Sequence, residues 1–327
     1  MSRSLAAVVV VLSGCSLYFG GSSSTNGGDD VDDYPWIDTC GGQPTAEDTC
    51  TPGDSCTYED WEHGCECGCD EDGRWACFNE TIGSHCPTGE YGVFGEPVRL
   101  DGVSSPLDER APAIAADGSE LVFARPGPNG DLDLWRSHVA LDGSLEAPVR
   151  DAALSRSPTD ESDPSLSADG LTVYFSRNGN TLQASGGAIT AVPELVGVTG
   201  ADFSRPADTA LVAASAGAVI EYTRPGAATP WTEVGRVDQM GVDASPTMRS
   251  DGHEAIFEGE RNGKRALFVA IRFFRDEPWQ SIVPLSIYGM DDANVGDPEL
   301  SADGLTLLFV SDVGGNYDVY AMSRYRM

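Results

Sequence analysis

Between Val93 and Met327 the apolar residues fall in short runs broken by Asp-Gly, Asn-Gly and Pro, the pattern of brief strands joined by tight turns. One stretch shows the unit clearly. Ser165 to Ser167 predict a strand, Ala168-Asp169-Gly170 a turn that needs glycine's positive φ, and Leu171 to Ser176 an apolar returning strand. The same text recurs: DPSLSADGLTVYFS at 163–176 is matched by DPELSADGLTLLFV at 297–310. Weaker copies are APAIAADGSELVFA (111–124), DFSRPADTALVAAS (202–215) and SPTMRSDGHEAIFE (245–258). Their aligned aspartates, Asp117, Asp169, Asp208, Asp251 and Asp303, are spaced by 52, 39, 43 and 52 residues. That is the length of a four-stranded propeller blade.

Each unit continues with a third strand: Leu132–Trp135, Thr181–Ala184, Val219–Thr223, Leu267–Ile271 and Asp318–Met322. A fourth, outer strand follows in four units, at Ala147–Asp151, Val192–Val196, Thr232–Val237 and Gln280–Leu285. The fifth unit has none, and a matching segment, Glu96–Leu100, precedes the first unit. The expectation is an all-β fold, a five-bladed β-propeller over 93–327, with the N-terminal segment as outer strand of the last blade, which removes the exposed edges of an open array. Phe123, Phe175, Phe257 and Phe309 occupy one repeat position and are expected in the core between blades.

The pattern P-x-x-S-x-D-G-x-x-x-x-F followed by D-x-Y resembles the WD40-like repeats of TolB-type propellers. Pro164, Ser167, Asp169, Gly170 and Phe175 carry it in the second unit; Pro298, Ser301, Asp303, Gly304, Phe309, Asp318 and Tyr320 carry it in the fifth. The third copy departs, with Thr209 for the glycine and Ala213 for the phenylalanine. The resemblance implies the propeller fold and a cell-envelope setting. TolB-type proteins have six blades and a different N-terminal domain, so it carries no activity to this chain.

The N-terminal third is built differently. MSRSLAAVVVVLSGC has one charge and an apolar run too short to span a bilayer, and Leu12-Ser13-Gly14-Cys15 resembles a bacterial lipoprotein signal. Residues 1–14 are therefore expected to be removed and Cys15 lipidated, with 15–39 as a flexible acidic tether. Ser16 after the cysteine favours the outer membrane. The other eight cysteines, Cys40, Cys50, Cys56, Cys65, Cys67, Cys69, Cys77 and Cys86, lie in a segment poor in aliphatic residues. An even number in an exported chain predicts a disulfide-rich module over 40–86, with its connectivity open. Its spacing resembles small cysteine-rich modules of secreted myxobacterial proteins.

Charge sharpens this division. The chain carries 52 acidic and 20 basic residues, a formal net charge of -32, which excludes nucleic acid and anionic surfaces as bulk partners. Residues 15–86 hold 16 acids and one base, whereas 87–327 hold 36 acids and 18 bases. The density therefore belongs mainly to the stalk.

No G-x-S-x-G elbow, P-loop or HExxH motif occurs. The candidate chemistry is a set of carboxylates before the inner strands: Glu109, Asp163, Asp202, Asp243 and Asp297. Equivalent loops share one face of a propeller, so these acids are expected to ring the channel mouth, where they could bind calcium or a hydroxyl-rich ligand. The expected function is that of a monomeric, non-enzymatic envelope lipoprotein, held at the membrane by its acyl chains, whose propeller binds a protein, peptide or glycan. The alternative is a glycoside hydrolase using paired loop carboxylates.

Overall fold

The computed structural model describes residues 93–324, apart from 141–142, 168, 197–198, 204–209, 216–217, 225–228, 238–244, 251 and 273–277. It also describes the backbone of four strands in the cysteine-rich region, β1 (Ser55–Glu59), β2 (Gly64–Cys69), β3 (Trp75–Asn79) and β4 (Ser84–His85). Two compact units divide between Val93 and Phe94. In the first of these along the chain, β1 to β4 form one antiparallel sheet in sequence order. Its register sets Cys56 opposite Cys67 and Cys67 opposite Cys77. The cysteine side chains, and with them the disulfide expectation, lie outside the described residues, as do Cys15, the signal segment and the tether.

The larger unit contains five four-stranded sheets among its described residues. The first is β6 (Arg110–Ile114), β7 (Glu120–Pro126), β8 (Leu132–His138) and β9 (Val149–Arg150). The second comprises β10 (Glu161–Leu166), β11 (Thr172–Arg177), β12 (Asn180–Ser185) and β13 (Ala188–Val196). The third has β14 (Thr199–Asp202), β15 (Ala210–Ser215), β16 (Ala218–Thr223) and β17 (Thr232–Val237). The fourth is β18 (Thr247–Met248), β19 (Glu254–Arg261), β20 (Lys264–Ile271) and β21 (Gln280–Pro284). In the fifth, β22 (Val295–Leu300), β23 (Thr306–Ser311) and β24 (Asp318–Ser323) are completed by β5 (Val98–Arg99), with Tyr320 opposite Arg99 and Ala321 opposite Val98. Every regular element among the described residues is a strand, and none of them is a helix long and apolar enough to cross a membrane. The sheets make a β-propeller.

The repeated S-x-D-G is a turn device. Ser167 Oγ donates to Asp169 Oδ1 (2.6 Å) and accepts from Thr172 N (3.0 Å), while Leu171 N donates to Asp169 Oδ1 (3.0 Å). Ser301, Asp303, Leu305 and Thr306 repeat this geometry. Gly170 and Gly304 take φ of 67° and 70° at the turn, which a side chain would disfavour. These bonds hold the Asp169 carboxyl below its usual range, the serine hydroxyl contributing most.

Phe123, Phe175, Phe257 and Phe309 are fully buried. Phe123 joins Leu308 and Val310 of the fifth sheet, Phe175 joins Ala113 and Val122 of the first, and Phe257 joins Val219 of the third. Each of these three rings thus fills a seam with the preceding sheet, contributing about 2 kcal/mol by burial, and Phe309 stacks on Tyr320 of its own sheet. At the seam of the second and third sheets the residue that follows the inner strand serves instead: Phe203, next to the end of β14, stacks on Tyr174 at 3.6 Å and 9°.

Candidate functional site

The inner strands β6, β10, β14 and β22 each carry a bulge at the channel mouth. Asp163-Pro164-Ser165-Leu166 defines four positions. In the bulged strands, strand register aligns Ala111, Asp163, Gly200 and Asp297 at the first and Ala113, Ser165, Asp202 and Glu299 at the third; sequence repeat adds Ser245 and Thr247 from the fourth sheet. Sequence comparison alone equated Asp202 with Asp163; the register places Gly200 there and Asp202 with Ser165. Ala111, Asp163 and Asp297 have φ of 44°, 49° and 50°, the left-handed region that disfavours most side chains, and Gly200 takes the same sign at 61°.

The third positions form a chain of links between sheets. Ser165 Oγ accepts from Phe203 N (2.9 Å), and Asp202 Oδ2 from Met248 N (2.8 Å) and Thr247 Oγ1 (3.2 Å). Thr247 Oγ1 in turn accepts from Leu300 N (2.9 Å), and Glu299 Oε1 from Ile114 N (3.3 Å). Four junctions are stapled this way. The junction of the first and second sheets is the exception, because Ala113 has no acceptor.

A second tier lies at the first positions. Asp297 Oδ2 accepts from Ala111 N (3.1 Å), and its Oδ1 from Arg265 Nη2 (3.2 Å) and Ser245 Oγ (3.4 Å). Asp163 accepts from Ser162 Oγ (2.8 Å) and from the backbone of Gly200. Crowding by protein, then the like charge of Asp297, raises the Asp163 carboxyl above its ordinary range. Glu299 is raised well above, first by burial and then by Asp202.

The structure therefore brings Asp163, Asp202 and Asp297 to the mouth and puts Glu109 elsewhere. Glu109 is fully buried, accepts from Ser105 N (3.1 Å) and Ser105 Oγ (2.6 Å), and faces Arg125 at 3.7 Å. Glu161 repeats this arrangement with Arg156 N, Thr159 Oγ1 and Arg177. Asp243 lies outside the described residues. Among the described residues no three His, Cys, Asp or Glu side chains converge as a metal cage. The space enclosed by Asp163, Ser165, Asp202, Asp297, Glu299 and their neighbours is about 30 Å³, room for water and not for a sugar ring.

Three arginines escaped sequence reasoning. Arg224, Arg272 and Arg324 each follow a third strand and reach back to the preceding sheet: Arg224 Nη2 to Tyr174 Oη (3.3 Å), Arg272 to both oxygens of Glu221 (2.7 and 2.8 Å), Arg324 to both of Glu254 (3.1 and 2.6 Å). Each guanidinium lies over an aromatic ring, respectively Trp231, Trp279 and Phe94, at 4.1, 4.3 and 4.5 Å. The signal was present as Arg224…Pro230-Trp231 and Arg272…Pro278-Trp279, the same spacing twice.

No protein-family model matches the chain, and no curated protein matches it by sequence. Solved structures that it resembles include TolB from Acinetobacter baumannii, at 12% identity and TM-score 0.45 over 85% of this chain and 80% of that one. Another is the catalytic domain of the Coprinopsis cinerea GH62 α-L-arabinofuranosidase, at 10%, 0.48, 72% and 98% in the same order. A third is the Bacillus subtilis arabinanase Arb43A, at 10%, 0.46, 68% and 95%. Likeness this distant does not bear on what the chain does.

Proposed function

We propose that this chain is a non-enzymatic cell-envelope lipoprotein, held by acyl chains on Cys15 at the outer membrane, whose propeller binds a protein, peptide or glycan. In this reading the five sheets are the full set of blades of a ring closed by β5, and the cysteine-rich module, crosslinked by four disulfides, is its stalk. One observation carries the choice over hydrolysis. The mouth acids are spent on joining neighbouring sheets, and the space between them is about 30 Å³. Glycoside cleavage needs two carboxyls flanking a sugar with room for it. Ligand would then sit on the outside; a cleft of about 490 Å³ bordered by Arg156, Arg177, Leu182 and Ile189 has a suitable size.

The test is a polysaccharide panel, scored for capture and for released sugar, with wild-type protein and the Asp163→Asn and Asp297→Asn variants. Capture without release, unchanged in both variants, is expected. Release that both variants abolish while keeping the wild-type melting temperature would overturn the proposal in favour of a glycosidase.

A further inference from the structure

The first two sheets share a buried glutamate that faces an arginine of the second strand, Glu109 with Arg125 and Glu161 with Arg177. They differ in what covers that arginine. Opposite the seam residue Phe123 the first sheet carries Trp135, whose ring lies over Arg125 at 3.9 Å and whose Nε1 donates to the Arg125 carbonyl (3.2 Å). The fourth and fifth sheets also have a ring at this register position, Phe268 and Tyr320. The third has Ile220 there, but Trp231, just before its outer strand, packs into the seam. The second sheet has Leu182 opposite Phe175, and Gly187 at the place of Trp231. It lacks both rings.

The cleft of about 490 Å³ opens at this place, between Arg177, Leu182 and Ile189 of the second sheet and the loop that follows the first, with Ala152, Ala153 and Arg156. Leu182 is half-buried and Ile189 is exposed, so the cleft has an apolar wall. Its lining carries two guanidiniums and no carboxylate. Arg177 is held through Nε by Glu161 Oε1 (2.7 Å) and through Nη2 by the Leu154 carbonyl (2.6 Å). Arg156 is fixed by its backbone alone: its N donates to Glu161 Oε2 (2.9 Å), and its carbonyl accepts from Thr159 N (2.9 Å) and Thr159 Oγ1. The Arg156 guanidinium is exposed and makes no hydrogen bond or ion pair among the described residues. Glu161 neutralises Arg177, which leaves one positive charge at the cleft of a chain whose net charge is -32.

We infer that this cleft takes the C-terminal residue of a peptide, with an aromatic side chain and a free carboxylate. The ring takes the space that Trp135 fills in the first sheet, against Leu182 and over Arg177, as the indole lies over Arg125. The carboxylate pairs with Arg156, whose planar fork matches its two oxygens and whose clamped backbone lowers the cost of ordering it. A uronic acid would satisfy Arg156 equally, but it would set hydroxyl groups against Leu182 and Ile189, which offer them no partner. The inference rests on the binding reading above and narrows its ligand to a peptide terminus at one seam.

The experiment titrates the full chain by calorimetry with N-acetyl-alanyl-phenylalanine, its C-terminal amide, N-acetyl-alanyl-alanine and a galacturonic acid trimer. The phenylalanine acid is expected to bind once per chain with a Kd below about 1 mM, and the amide and the alanine acid each about tenfold more weakly. Arg156→Gln should keep the wild-type melting temperature and bind the acid no better than the amide. Leu182→Trp, which supplies the ring of the first sheet, should abolish binding; if it melts below wild type, Arg156→Gln decides alone. Four results overturn the inference: no binding of the acid up to about 10 mM, equal affinity for acid and amide, an affinity for the acid that Arg156→Gln leaves unchanged, or binding of the trimer in place of the peptide. None of these overturns the binding reading, which falls on sugar release from the polysaccharide panel.

Discussion

The pair Glu221–Arg272 offers the sharpest test of how the sheets are joined. The two side chains are 6% and 4% exposed and bridge the third and fourth sheets. Arg272 also donates through Nε to the Gly252 carbonyl (2.7 Å) and lies over Trp279. At this separation two unit charges attract by about 4 kcal/mol with an effective dielectric near 20. Replacing Glu221 by alanine removes that attraction and leaves a guanidinium buried with one carbonyl and a ring. The expected loss is about 3–5 kcal/mol, because the desolvation of Arg272 is no longer offset. For a unit of this size that lowers the melting temperature by about 6–20 °C. Urea denaturation followed by tryptophan fluorescence measures it, since Trp279 reports the site directly. The double variant Glu221→Leu/Arg272→Met should recover most of the loss, as apolar side chains need no partner. The exposed Asp101, which also contacts Arg99, is the control: Asp101→Ala should change stability by less than about 0.5 kcal/mol. A loss below about 1 kcal/mol for Glu221→Ala would refute the reasoning, because it would mean that water reaches the pair.

Two further outcomes are expected. Thr247→Val keeps the shape of the residue but removes an acceptor from Leu300 N and a donor to Asp202; stability should fall by about 1–3 kcal/mol in urea titrations, and no change would show that the staples do not join the sheets. Glu299 is raised in the folded chain, so it keeps its proton where the unfolded chain has released it. The stability it confers is complete below the unfolded carboxyl range, near ~4.3, and is lost as pH rises through the folded value. Urea midpoints of wild type should therefore fall relative to Glu299→Gln between pH 5 and pH 8, and parallel profiles would contradict the assignment.

Local regularity explains what could be read without coordinates. The two near-identical units, 163–176 and 297–310, fix a turn whose bonds run between residues at most five apart, so the sequence pattern and the geometry are one statement. The segment Pro97-Val98-Arg99 echoes Pro148-Val149-Arg150, and each arginine meets an aspartate of the third strand, Asp318 and Asp133. The third unit was harder. Matching Asp202 to Asp163 gained one identical residue but ignored the bulge, which sets Gly200 in that place. An acid in a repeat does not reveal which of two adjacent inward positions it fills.

Determined by the sequence alone were the strands, the turns, the aromatic seam and the outer strand supplied from before the first repeat. All depend on short-range hydrogen bonding and on the two-residue period of a pleated strand. The uses of the charged residues were decided only by tertiary structure. Glu109 serves its own loop, Asp202 and Glu299 join sheets, and Arg272 and Arg324 reach back across a seam. Those roles depend on which partner lies across a junction, 38 to 70 residues away for most of the sheet-to-sheet bonds, and no local pattern encodes that neighbour.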